Sequence, residues 1–129
     1  VPSRHILVVD NEILMHTILA AYLKNLDRIS IDYSYDADSA YEAVRKRSPD
    51  LLIINNDLKY SSGVILLERL RKIFLLPPQI ILFGSEFNQQ ILDVKLDNSE
   101  VTCLFGSLKL ELLIEKVISS LQYISNLSN

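Results

Sequence analysis

The stretch ILVVDNE, Ile6 to Glu12, decides the fold: four apolar residues in a row, broken abruptly by Asp10, Asn11 and Glu12. A run that is apolar at every position suits a strand covered on both faces, and it carries no trace of a helical period. Two runs of the same kind follow. LLII, Leu51–Ile54, ends in Asn55, Asn56 and Asp57, and IILF occupies Ile80–Phe83. Outward from these, Ile29–Tyr35 alternates, with Ile29, Ile31, Tyr33 and Tyr35 on one face and Ser30, Asp32 and Ser34 on the other. Val101–Phe105 alternates less cleanly through Val101, Cys103 and Phe105. Strands of this second kind belong at sheet edges.

Helical patterns separate the strands, near 13–26, 38–48, 64–75 and 87–97, with a last one near 109–125. The third carries Leu66, Leu67, Leu70, Ile73 and Phe74 on one stripe, and the last carries Leu110, Leu113, Ile114, Val117, Ile118, Leu121 and Ile124. Five β-α repeats with right-handed crossovers and those two edge strands give the order 2-1-3-4-5. That is an α/β, flavodoxin-like, doubly wound five-stranded parallel sheet with five helices.

At 129 residues, 49% hydrophobic and 22% charged, the chain has the size and composition of one globular domain. The expected division is a domain over 1–124 and, over 125–129, a polar tail that starts a linker to a C-terminal output domain. The net charge is −3 and no basic block exists to neutralise a row of phosphates, which argues against direct nucleic-acid binding. Apolar runs fall far short of a membrane span and no signal-peptide pattern opens the sequence. A single cysteine excludes an internal disulfide and suits a reducing cytoplasm; within its apolar run, Cys103 reads as a small buried hydrophobe. His5 and His16 lack a second ligand at metal spacing and read as structural or exposed.

In a doubly wound sheet, ligands bind beyond the carboxyl ends of the strands where the winding reverses. Here that place lies between the first and third strands, which deliver Asp10, Asn11 and Glu12 on one side and Asn55, Asn56 and Asp57 on the other. A cluster of acids and amides at this crevice is the most informative feature of the sequence.

On these residues the chain resembles the receiver domains of response regulators (CheY-like). ILVVDNE is similar to the family's ILVVDDE, and PDLLIIN to its PDLVLLD, whose final aspartate accepts a phosphoryl group. Gly63 follows Asn55 by eight residues and opens a helix, as in the family, and ADSAYEAV (Ala37–Val44) matches A-x-N-G-x-E-A-L. The resemblance implies magnesium-assisted phosphoryl transfer to a carboxylate. Acidic residues on the first strand would hold the hard cation, and a lysine and a hydroxyl on later strands would contact the phosphoryl oxygens.

The sequence departs from that pattern at nearly every reacting position. Asn55 stands in the acceptor slot and Asn11 in the second acidic slot, leaving Asp10 as the match, with Glu12 and Asp57 nearby. The lysine slot falls on Gly106 or Ser107, and the hydroxyl slot on Phe83. Lys59 replaces the usual proline four residues after the acceptor. Cys103 stands where the family's switching aromatic lies, with Phe105 two residues on as a core residue. Ser85 would supply the hydroxyl if the fourth strand ran longer, Lys109 would be the substitute lysine, and Asp57 the alternative acceptor.

These departures imply a degenerate receiver, not an enzyme, that works in signal transduction without phosphorylation and with no cofactor, weak magnesium binding not being expected. By the resemblance, it would contact a protein partner, a second copy or its own output domain, with transcription regulation as one setting. The surface used would combine the 87–97 helix, the 101–105 strand and the last helix, where Leu112 and Tyr123 lie off the buried stripe. The rival readings are a small-ligand sensor that uses the vacated crevice and a residual phosphoacceptor at Asp57. No glycine-rich phosphate loop is present to favour a nucleotide.

Overall fold

The computed structural model describes residues 3–26, 28–73, 76–85, 99–107 and 110–127, with 123–127 as backbone only. The elements run β1 (Arg4–Val9), α1 (Leu14–Leu23), β2 (Ile29–Ser34), α2 (Ala37–Lys46), β3 (Leu51–Asn55), α3 (Gly63–Lys72), β4 (Gln79–Gly84), β5 (Glu100–Phe105) and α4 (Leu110–Leu127). All strand pairs are parallel, in the order β2-β1-β3-β4-β5. The order and the edge strands are those predicted. Four helices stand among the described residues; the one predicted over 87–97 lies outside them.

Alternation along the three central strands divides the core in two. Leu7, Val9, Leu52, Ile54, Ile80 and Leu82 meet α2 and α3 on one face. Ile6, Val8, Leu51, Ile53, Ile81 and Phe83 meet α1 and α4 on the other. Both faces of β1, β3 and β4 are therefore covered, which is why ILVV, LLII and IILF at their centres contain no polar residue.

Several side chains depart from the sequence reading. Cys103 is exposed, not buried. It lies on an edge strand, which has a neighbouring strand on one side only. Ile73 is 38% exposed because α3 stops at Lys72 and leaves it as the cap, and Ile118 is 39% exposed at the margin of the α4 stripe. Ser34 is buried at the end of β2, whereas Tyr35 has left the strand and is exposed. Phe74 and the side chain of Ile124 fall outside the described residues. Helix α4 continues through Leu127, so residues 125–127 are helical.

Local chemistry sets the helix starts that frame the crevice. Asp36 caps α2 by accepting the Ser39 N–H at 2.8 Å, and that bond holds its carboxyl below the usual value. Ser62 caps α3 in the same way at Ile65, 3.2 Å. Gly63 is forced by space. A Cβ there would lie 2.7 Å from Ile54 Cγ2 and 3.1 Å from the Asn56 backbone, so only glycine lets α3 start this close to β3.

Candidate functional site: the crevice between β1 and β3

The register brings the carboxyl ends of β1 and β3 together, and Asn55 at the end of β3 faces Asp10 just past β1. Asp10 is buried, and its Oδ1 accepts the Asn55 Nδ2–H at 3.2 Å and the Glu12 backbone N–H at 3.2 Å. The other side of the Asn55 amide, Oδ1, accepts the Asp57 N–H at 2.9 Å. Asn55 is thus held at both ends. An aspartate there could accept from Asp57 but could not donate to Asp10.

Asn11 does not join this pair. Its Nδ2 donates to the Tyr35 carbonyl at 2.9 Å and its Oδ1 accepts the Lys59 N–H at 2.6 Å. It ties the end of β2 to the loop before α3. It also borders a cavity of about 220 Å³, shared with Asp36, Asp38, Tyr60 and Arg69. Arg69 pairs with Asp38 at 2.9 Å and lies over the Tyr41 ring. The cavity is smaller than the ~300 Å³ at which small-molecule sites begin.

Asp57 is exposed, and its Oδ2 accepts the Ser85 N–H at 2.7 Å, joining the ends of β3 and β4. Ser85 therefore reaches the crevice through its backbone. Phe83 pairs directly with Asn55 in the β3–β4 register but is buried in the α1–α4 core cluster. Gly106 donates its N–H to the Gly84 carbonyl at 3.0 Å and has φ +96°, a conformation a side chain rarely adopts. Ser107 is exposed, and Lys109 lies outside the described residues. Leu112 is 40% exposed, and the Tyr123 side chain lies outside the described residues.

Two residues shape the crevice in ways the sequence reading missed. The Tyr33 hydroxyl donates to the Asp10 carbonyl at 2.7 Å; burial first, then the Asp10 carboxylate, pushes the phenol up. Asn56, buried, accepts the Val64 N–H at 3.0 Å and donates its own N–H to Phe83 at 2.7 Å, so it anchors α3 to β4. An apolar run ending in two asparagines was the available signal that one of them turns inward.

The residues present do not fit a magnesium ion. Among the described residues no three His, Cys, Asp or Glu side chains gather closely enough to hold a metal. An N–H donor already lies against the Asp10 oxygen, where a hard cation would want a second charged ligand.

A parallel α/β sheet with an acid–amide crevice at the point where its winding reverses defines the class of doubly wound domain described here. Residues 6–117 match the response regulator receiver domain model, most of the sequence, and the chain belongs to that family and to two-component signalling. The sensory transduction protein LytT of Bacillus subtilis (strain 168) is 32% identical over 88 residues, which cover 67% of this chain and 36% of that protein. The chain thus spans about a third of the length of that curated relative.

Solved structures share the fold at lower identity. A two component transcriptional regulator AraC from Clostridium phytofermentans ISDg matches with a TM-score of 0.76 at 20% identity, over 98% of both chains. The response regulator domain of Thermotoga maritima CheB matches with 0.73 at 15% identity, over 96% of this chain and 97% of that one. The receiver domain of Francisella response regulator 1452 gives 0.74 at 17%, over 95% and 99%.

Proposed function

We propose that this receiver domain signals without phosphorylation, through protein contact and not through an acyl phosphate. The observation that carries the reading is the double clamp on Asn55, whose Nδ2 donates to Asp10 at 3.2 Å while its Oδ1 accepts from Asp57 at 2.9 Å. An amide oxygen is a poor nucleophile, and here one N–H and one lone pair of the amide are already engaged by Asp10 and Asp57. The surroundings support the same reading. Asn11 is turned away from Asp10, Phe83 brings no hydroxyl, and Gly106 brings no cation to the phosphoryl position.

The contact surface proposed is the β5–α4 face, where Leu112 is exposed, with an attached output domain, a separate protein or a second copy as partner. No helix among the described residues is long and apolar enough to cross a membrane, and a cytoplasmic setting is part of the proposal. Incubation with a small-molecule phosphodonor and magnesium, read by intact mass, tests the chemistry. The expected result is an unchanged mass. A stoichiometric gain of one phosphate overturns the reading, and a gain abolished by Asp57→Asn would assign it to Asp57.

A further inference from the structure

Helix α1 is apolar around nearly its whole circumference, yet of its ten residues only Leu19 and Leu23 are buried. From Ile13 to Leu23 the sequence has no Asp, Glu, Lys or Arg. Leu14 is 61% exposed and Tyr22 60%; Thr17 and Ala21 are exposed and Ile18 is half-buried. At helical spacing, Leu14, Thr17, Ile18 and Ala21 form one outward stripe, with Tyr22 on its flank. A helix that is apolar all round is normally buried on both sides.

The charges at the two ends of the helix are opposite in sign. Glu12, exposed, stands just before α1, and Lys24, exposed, caps its end. Neither side chain has an ion-pair partner among the described residues. When two copies of α1 lie antiparallel and cross near Ile18, Leu14 of each falls opposite Tyr22 of the other. The same alignment brings each Glu12 to the other copy's Lys24, twice per dimer. A two-fold interface must be self-complementary in this way. A parallel arrangement would set like charges together.

We infer that the outer face of α1 is a self-association surface and that its occupant is the α1 of a second copy of this chain. Ten residues of helix span only about 15 Å, so the buried area falls below the ~1,200 Å² of stable complexes and the dimer is weak and reversible. The inference stands apart from the phosphorylation reading, since neither depends on the other.

Sedimentation velocity on the 129-residue chain, from micromolar to millimolar concentration, tests it, with circular dichroism checking that each variant folds. The wild type is expected to shift reversibly from monomer to dimer. Leu14→Glu is expected to weaken the dimer about tenfold or more, and Leu14→Ala less. Glu12→Lys or Lys24→Glu alone should each weaken it roughly fivefold, as two exposed pairs per dimer change sign. An equimolar mixture of those two variants should associate again, because each then offers the charge the other lacks. A monomer at every concentration overturns the inference, as does a dimer indifferent to Leu14→Glu. Failure of the charge-swap mixture to recover overturns the antiparallel arrangement and with it the self-complementarity on which the inference rests.

Discussion

The amide of Asn55 turns what would be a repulsion between two acids into a hydrogen bond, since its Nδ2 lies 3.2 Å from the Asp10 carboxylate. Asn55→Asp would remove that donor and set two carboxylates against each other. The expected loss of stability is about 1–3 kcal/mol at neutral pH. Urea denaturation at pH 7 checks it; an unchanged stability would mean the two side chains do not interact. The same variant is expected to remain unphosphorylated by a small-molecule donor, because each missing electrostatic contact to a phosphoryl group typically costs about 3 kcal/mol of the barrier. Adding Asn11→Asp and Gly106→Lys restores the residue types but not the geometry. Asn11 is turned toward Tyr35 and Lys59, and a lysine at position 106 would have to adopt φ +96°. The sequence placed Asp10 and Asn55 side by side because the strand order alone dictates it. It could not show which way Asn11 points, which is set by partners 24 and 48 residues away.

Among elements, β1 contributes a second site of interest at its opposite end, where His5 is buried between β2 and the loop before β3. Its Nδ1 lies 2.9 Å from Ser30 Oγ and its Nε2 3.3 Å from Asp32, while its backbone N–H donates to Asp50. Burial first, then Arg47, holds the ring below its ordinary 6.5, against the pull of Asp32 and Asp50. At pH 7 the Asp32 contact is accordingly a hydrogen bond to a largely neutral ring, and it becomes an ion pair as the ring takes up a proton at lower pH. The unfolded chain takes up this proton more readily than the native one. The His5 contribution is therefore complete above pH 6.5 and is lost as the pH falls from there toward the lowered native value. Melting temperature across pH 7.5 to 5 should decline for the wild type and decline less for His5→Gln; identical profiles would exclude the histidine. At the start of α3, Gly63→Ala gains little from helix propensity and forces a Cβ to 2.7 Å from Ile54. A loss of about 1–3 kcal/mol is expected, and a neutral change would show that the β3–α3 junction can relax. The spacing of Gly63 from Asn55 was legible in sequence. The exposure of Cys103, Ile73 and Ile118 was not, because an apolar pattern gives the face of an element but not whether anything covers its edge or end.

For the whole molecule, the order β2-β1-β3-β4-β5 was legible because strand composition separates covered strands from edge strands and crossover handedness leaves few topologies. That topology makes the crevice the usual ligand position of the sheet, and a cation bound there would stabilise the whole fold. Here the loops around the crevice are joined by the protein's own hydrogen bonds. Asp10 accepts from Asn55 and Glu12, Asp57 accepts from Ser85, and Asn11 bridges Tyr35 and Lys59. The Asp10–Asn55 bond joins the carboxyl ends of β1 and β3, the Asp57–Ser85 bond those of β3 and β4, and Asn11 ties the end of β2 to the loop before α3. A ligand that binds the native state stabilises it by RT ln(1 + [L]/Kd), so an ion at or below its dissociation constant contributes under ~0.5 kcal/mol. Millimolar magnesium is therefore expected to leave the melting temperature within about 2 °C of that in sodium chloride at equal ionic strength. A larger rise that is specific to magnesium and lost in Asp10→Asn would mean that the Asn55 amide gives way to a cation. In that case the crevice would be a working metal site held closed by an amide, and Asp57, the exposed carboxylate beside it, would become the residue to test for phosphoryl transfer.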